Sequence, residues 1–482
     1  MKNWISLVGL LLITQLGWGQ ELSASKKAVI EAVEEREEDL IRISDEIWAL
    51  AETALEESQS AALLANYAED NGMRVERGVA GMPTAFIASY GSGEPVIGIL
   101  AEFDALPGLS QKTEPTKQVL QAGAAGHGCG HNLFGAGSLG AAVVIKDMIE
   151  SGELQGTVKL FGTPAEEKYF GKLYFAREGL LDDLDVCLDW HPSAKISANV
   201  QSSKALIDFI VEFEGQAAHA SSDPWNGRSA LDALEFFTMG LNYQREHLRP
   251  QARIHYRIMN GGAVVNVVPD YARIWSRVRH STAEEVRETY TRVQEIARGA
   301  SIMANVDYKI TLVSGLHEVI PNRTGGKTLQ ANLEALGPLE YSDEEIAFAH
   351  GIQAATDKAQ TGIDGKVYPL REMAEYPSGG STDVGDVSWQ VPEIRLGVTT
   401  APEDTPWHSW AVVACGGMSI GHKGMIYAAK ALAMTMVDLY EDPGLVEAVK
   451  AEFRERKGDK KYEAILPDGP PPVPAGISMG DK

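Results

Sequence analysis

Residues 26–57 carry apolar side chains at helical spacing (Val29, Val33, Leu40, Ile43, Ile47, Leu50) among charged ones, which predicts amphipathic helix with a solvated face. Residues 60–71 read as a second helix, stopped by Gly72. The period then shortens. Residues 86–90 and 96–100 read as strands divided by Gly91-Ser92-Gly93, and the second is apolar throughout, as an interior strand covered on both faces would be. Residues 133–148 predict a helix of small side chains able to pack closely behind a site. Residues 157–161 and 185–191 predict two more strands, the latter halted by Pro192. No segment beyond the N-terminal one reads as apolar enough to span a bilayer.

The pattern changes after about residue 200. Residues 205–214 alternate like an antiparallel strand with one wet face. A helix (229–248), two strands (253–259, 272–279), a helix (283–303) and a strand (306–313) follow, giving the order β, α, β, β, α, β of a split βαβ unit. We therefore expect an inserted α+β domain at 201–322. The α/β catalytic part surrounds it as 21–200 and 323–450, with helices at 327–336, 343–357 and 424–439 and a strand at 394–398. The tail, 451–482, is charged and then proline-rich, and is expected to be disordered from about 458. Residues 1–20 combine Lys2, an apolar run over 5–16 and Gly17-Trp18-Gly19, the make-up of an export signal. The expectation is a periplasmic or secreted protein with no membrane anchor once that signal is removed.

A formal charge of −24 argues against nucleic acid or an anionic membrane as a partner of a basic surface. It also means that an anionic substrate needs a local positive site, which metal ions can supply. The three cysteines, Cys129, Cys187 and Cys415, are too few and too scattered for a disulfide framework. Cys187 sits in an apolar run and reads as core. Cys129 is flanked by glycines.

That setting draws attention to residues 123–132, where His127, Cys129 and His131 lie among glycines. On extended backbone, Cys129 and His131 would point to one face, and both are good ligands for a borderline-soft divalent ion. A buried, inert Gly-Cys turn fits this stretch taken alone. Other chemistry gathers at predicted strand ends. Glu166 and Glu167 follow Gly162-Thr163-Pro164, His191 closes its strand, and His408 lies in a loop beyond 394–398. A hydrolytic metal site needs one carboxylate to bind the ion and another to take a proton from water. The shared placement gives Cys129, His131, Glu167, His191 and His408 as ligands, with Glu166 beside them. Five ligands suit two ions, with the Cys129 thiolate able to bridge. The loop at 377–386, rich in glycine and hydroxyls (Gly380, Ser381, Thr382), can offer donors to a carboxylate, although an ordinary helix-capping turn accounts for it equally well.

These motifs resemble the metal-dependent aminoacylase and carboxypeptidase family of amidohydrolases, and within it the p-aminobenzoyl-glutamate hydrolase B-subunit group. The likeness is carried by residues 102–108, Gly128-Cys129-Gly130-His131-Asn132, Thr163-Pro164-Ala165-Glu166-Glu167, residues 261–270, residues 381–389 and His408-Ser409-Trp410. It implies a catalytic domain holding two divalent ions, manganese or zinc, and an inserted dimerisation domain. By similarity, Glu167 and His408 complete one ion's shell and His131 and His191 the other's, with Cys129 bridging. Glu166 becomes the general base, and His219 reaches a partner subunit's substrate. Asn132, where the branch commonly has aspartate, leaves open what orients His131. The implied reaction is hydrolysis of a small aryl-amide or N-acyl amino acid conjugate, p-aminobenzoyl-glutamate-like, by a homodimer that could need a second related subunit. Asn266 or the 379–383 loop would take the product's carboxylate. Two alternatives stand: a general N-acyl amino acid or dipeptide hydrolase, and a non-enzymatic metal or ligand binding protein. The second is weakened by Glu166, which storage does not need.

Overall fold

Strand pairing divides the chain into two sheets. The computed structural model describes residues 22–377 and 379–473; the export-signal expectation therefore lies outside the described residues. The strands are β1 (Arg74–Arg77), β2 (Phe86–Gly91), β3 (Val96–Ala101), β4 (Thr157–Gly162), β5 (Val186–Ser193), β6 (Ser197–Asn199), β7 (Ala205–Glu214), β8 (Arg253–Asn260), β9 (Tyr271–His280), β10 (Asp307–Leu316) and β11 (Glu393–Thr399). The larger sheet has the order β1-β2-β4-β3-β5-β11-β6, and its central strands β4, β3, β5 and β11 are parallel. The α/β class follows, a mixed sheet with helices packed on it.

Strand β3 is buried almost throughout, as its unbroken apolar sequence requires. The His131–Ser151 helix packs behind it, tightly because of its glycines: a Cβ at Gly135 would lie 2.8 Å from the Glu102 carbonyl oxygen, and one at Gly137 3.0 Å from the Trp190 ring. That helix corrects the expectation about bilayer-spanning segments. It is long and apolar enough to cross a membrane, but 89% of its most apolar window is buried inside the protein. A second correction concerns β5, which runs through Pro192 to Ser193. Its pairing with β3 reaches only Leu188, so Pro192 lies where β11 alone flanks the strand and a missing N–H is tolerated.

The smaller sheet is antiparallel throughout, in the order β10-β7-β9-β8. The Ala230–Arg245 and Ala283–Ala304 helices cover one face, over a core that includes Phe209, Val211, Phe213, Phe237, Ile274, Val278 and Val293. The inserted unit touches the larger one through a small apolar joint of Phe170, Leu173, Leu206 and Leu316. The tail differs from expectation. The Pro443–Lys457 helix passes residue 450, and the chain beyond it packs against both units: Tyr462 donates to Asp386 Oδ1 (3.1 Å) and Ile465 is buried in the smaller core. Apolar residues spaced along a polar tail can order it when a neighbouring surface receives them.

Candidate metal centre

The parallel strands β3, β4, β5 and β11 point their C-terminal ends the same way, and every predicted ligand lies at or just beyond one of those ends. Loops there form the natural site of an open α/β sheet. The loop after β3 carries Glu102 and Asp104, then Cys129 and His131. The loop after β4 carries Glu166 and Glu167. His191 is near the end of β5, and His408 follows β11.

Local backbone sets the aim of these side chains. Gly130, at φ +81°, caps the His131–Ser151 helix, and a Cβ there would meet Pro192 at 2.9 Å. Cys129 and His131 thus converge across a left-handed turn into a helix, not along the extended strand that their spacing suggested. Ala165 (φ +64°) and His408 (φ +56°) also adopt left-handed conformations, which cost about 1–3 kcal/mol each and cluster at functional sites. Glu57 accepts the Ala165 N–H at 3.0 Å and holds that turn.

The ligand atoms fall into overlapping groups, each within 4.8 Å: Cys129 with His131 and His191; Cys129 with Glu167 and His408; and Glu102 with His131 and Glu166. Cys129 belongs to the first two, the place for a bridge. Its Sγ lies 3.4 Å from His191 Nε2, and His408 Nε2 lies 3.4 Å from Glu167 Oε1. Ligands arranged tetrahedrally around one zinc-sized ion sit roughly 3.3–3.6 Å apart, so the spacing fits. The buried Glu102 Oε2, His131 Nε2 and Glu167 Oε1 have no hydrogen-bond partner among the described residues, although the first two are 3.0 Å apart. Buried polar atoms left unsatisfied are costly, and cations held in these groups would satisfy them.

The charges point the same way. Burial, then the carboxylates of Glu102, Asp383 and Glu167, raise Glu166 well above the usual carboxylate range. Burial raises Glu167 to about 7, and pushes the Cys129 thiol far up as well. Each of these shifts comes first from burial, and a bound cation would oppose it.

Orientation comes from residues whose roles the motifs left unassigned. Asp104 is hydrogen-bonded through Oδ1 to His131 Nδ1 (2.9 Å) and accepts the Glu167 N–H through Oδ2 (3.0 Å), so one carboxylate aligns ligands from two loops. Asn132 instead donates to Ser44 Oγ and the Gly416 carbonyl, both at 3.0 Å, and acts in the scaffold. His127 contacts the Ile47 carbonyl (3.0 Å), and burial lowers it to about 4, which leaves it neutral. The fully buried Lys172 donates to Glu102 Oε1 and Asp383 Oδ1, both at 2.6 Å. Burial opposes the Glu102 charge, but the Lys172 ammonium and His131 outweigh it and hold this carboxyl well below its usual range.

The candidate substrate residues are held by other partners. Ser381 Oγ meets Arg279 (3.2 Å), the Gly380 carbonyl accepts the Lys204 N–H (2.9 Å), and Thr382 Oγ1 accepts the Val384 N–H (3.3 Å). His219 and Asn266 are exposed on the inserted unit, where His219 bridges to Val267. Among the described residues, no hydrogen bond or ion pair joins those two to the ligand groups. The acidic loop at 102–108 and the loop at 377–386 both stood out in the sequence, but the roles of Asp104, Lys172 and Asp383 did not.

Residues 98–467 match the peptidase family M20/M25/M40. The chain is 38% identical to a subunit of the p-aminobenzoyl-glutamate hydrolase of Escherichia coli, over 94% of this chain and 99% of that one. It is 30% identical to the Xaa-Arg dipeptidase of Mus musculus, over 90% and 93%. A dinuclear metal binding peptidase of the M20 family from Bacillus subtilis shares the fold, with a TM-score of 0.56 and 19% identity, covering 85% of this chain and 99% of that one. Ligand groups that share a thiol at the strand ends, in a chain matched over this span, make it a member of the M20/M25/M40 peptidase family and a metal-dependent amidohydrolase.

Proposed function

We propose that the chain hydrolyses the amide of an aryl-amide or N-acyl amino acid conjugate of the p-aminobenzoyl-glutamate kind and releases the amino acid. The observation that carries this reading is the pair of ligand groups joined at Cys129, with Glu166 in the adjoining group. Cys129, His131, Glu167, His191 and His408 would hold two divalent ions, zinc or manganese, the thiolate favouring zinc. Bound, such ions acidify water and polarise a carbonyl. Glu166 accepts the water's proton and returns it to the leaving amine. His219 Nδ1 accepts the N–H groups of Ser221 (3.2 Å) and Ser222 (3.1 Å), so its Nε2 carries the proton and is free to donate to an oxyanion. Gly380, Ser381, Thr382 and Asn266 are proposed donors to the released carboxylate. Dipeptide hydrolysis is the second reading, favoured by the 30% identity to a protein named Xaa-Arg dipeptidase.

A panel of p-aminobenzoyl-glutamate, other N-acyl amino acids and Xaa-Arg dipeptides, run on metal-analysed protein, tests the reading. Turnover highest on the aryl-amide supports it, turnover highest on the dipeptides favours the second reading, and no turnover on any member sinks both.

We further propose a homodimer formed through the inserted unit. Strand β8 is a sheet edge, and Ile258, Met259, Val264 and Val265 are exposed on it or just beyond it. His219 would then serve the partner's site, so mixing His219→Ala with Glu166→Gln should recover activity through hybrid sites. A fully active monomer in light scattering argues against this. The Escherichia coli relative is named as one subunit of its hydrolase, which raises a second, related chain as a further partner. Export to the periplasm or medium remains our proposal from residues 1–20; processing of the N-terminus, read by mass spectrometry, tests it.

A further inference from the structure

The turn that presents Glu166 and Glu167 is held from a distant part of the chain. Ala165 precedes the pair, is fully buried, and takes a left-handed conformation (φ +64°) that a Cβ disfavours. Its carbonyl accepts the N–H groups of Tyr169 (3.1 Å) and Phe170 (2.8 Å), which folds the turn back on itself. A Cβ at Gly171 would collide with the Pro164 carbonyl oxygen, so the fold-back has no slack. These contacts close the turn from its far side. Its entry, the Ala165 N–H, is held by another element.

That element is Glu57, 108 residues earlier and fully buried. It accepts the Ala165 N–H through Oε1 (3.0 Å) and the Thr84 hydroxyl through Oε2 (2.9 Å). Glu57 stands at the N-cap of the Ser58–Asp70 helix, yet its side chain makes no capping bond there. Glu52 serves the helix start instead, accepting the N–H groups of Gln59 (3.1 Å) and Ser60 (2.8 Å). The helix therefore gives no reason for a buried carboxyl at this position. Burial, and then the Asp104 carboxylate, raise Glu57 to about 8. Strained backbone persists only where its surroundings over-determine it, and Glu57, fixed by Thr84, does so at Ala165.

We propose that Glu57 is a positioning residue: by anchoring Ala165 in its left-handed conformation, it aims the base Glu166 and the ligand Glu167 at the metal centre. The part concerning Glu166 rests on the amidohydrolase reading above. The part concerning Glu167 is read from metal binding alone.

The test compares Glu57→Ala, Glu57→Gln and Glu57→Ala/Ala165→Gly with the parent protein, each shown by circular dichroism to be folded. Glu57→Ala should lower kcat about 10²-fold, the effect of misplacing a reacting group by about 1 Å, and change KM less than about threefold. Zinc affinity, read by competition with a chromophoric chelator, should fall about tenfold, because Glu167 follows the same turn. Glu57→Gln keeps an oxygen for the Ala165 N–H and an amide N–H for Thr84, so both readouts should stay near the parent values. Glycine takes the left-handed conformation unaided, so Ala165→Gly should recover about tenfold of the lost kcat in the Glu57→Ala background, and part of the zinc affinity. A carboxyl that only stabilised the fold would show no such rescue, since glycine adds no contact. Should Glu57→Ala fail to fold, Glu57→Asp, one methylene shorter, carries the same expectations.

Parent-like kcat and zinc affinity in Glu57→Ala overturn the proposal. So does a loss in Glu57→Gln as large as in Glu57→Ala, or the absence of rescue by glycine. The expected zinc pattern in a protein that hydrolyses no panel amide keeps the role of Glu57 and removes the functional reading. Amide turnover indifferent to all these variants does the reverse.

Discussion

The metal centre and the open face of the smaller sheet both concentrate charge of one sign, but they hold it differently. At the ends of β3 and β4, Glu102, Asp104, Glu166 and Glu167 gather near the Cys129 thiol, and the buried Lys172 ammonium pairs with Glu102 and Asp383. In a groove on the sheet face, Arg253 opposes Arg279, and Asp208 is the one carboxylate in the lining. Burial makes the first arrangement costly and over-determines its geometry, since Asp104, Lys172 and the left-handed turns at Ala165 and His408 leave the ligands little freedom. Exposure lets water and salt screen the second, so it tolerates like charges and remains adaptable. A reaction centre benefits from rigidity, which an exposed face does not need.

Substitutions in the two regions should therefore behave differently. The largest effect is expected at Cys129, where Cys129→Ala should lose both metal and activity. Cys129→Asp, whose two oxygens can also bridge, should retain metal and part of the activity; metal analysis beside turnover decides. A thiol-trapped acyl intermediate seen by mass spectrometry would replace this ligand role with a covalent one.

Glu166→Gln comes next. It preserves shape but cannot take the water's proton, so turnover should fall about 10²–10⁴-fold with metal content unchanged. Undiminished activity would remove Glu166 from the mechanism.

Lys172→Met should leave Glu102 and Asp383 buried without their counter-ion. Breaking a buried pair in this way costs about 3–5 kcal/mol, to be read from urea unfolding. Lys172→Met/Asp383→Asn should recover part of that loss. An unchanged midpoint in the single variant would show that burial imposes no cost there.

The smallest effect has the opposite sign. Arg253→Ser removes one member of a like-charge cross-strand pair, and should stabilise the protein by about 0.2–1 kcal/mol at low salt, less at high salt. A loss of stability instead would mean that the open face is already compensated, and would remove the contrast.

Much of this molecule was legible in the sequence because the signals were local. Apolar runs marked the interior strands, turn residues marked their ends, and the loops at Cys129, Glu166 and Glu167, His191 and His408 each carried donors in a few consecutive residues. The order β, α, β, β, α, β likewise emerged from periodicity alone. Tertiary structure decided what depends on distant partners. Lys172 meets Glu102 70 residues away and Asp383 211 residues away, and nothing adjacent to any of the three announces the others. Asp104 became the partner that orients His131, and Asn132 a scaffold residue, only once the loop after β3 met the His131–Ser151 helix. The cationic face is of the same kind. Alternation shows that Arg253 and Arg257 share one side of β8, but only the pairing register sets Arg253 against Arg279 and brings Lys204 and Gly379 to the same groove.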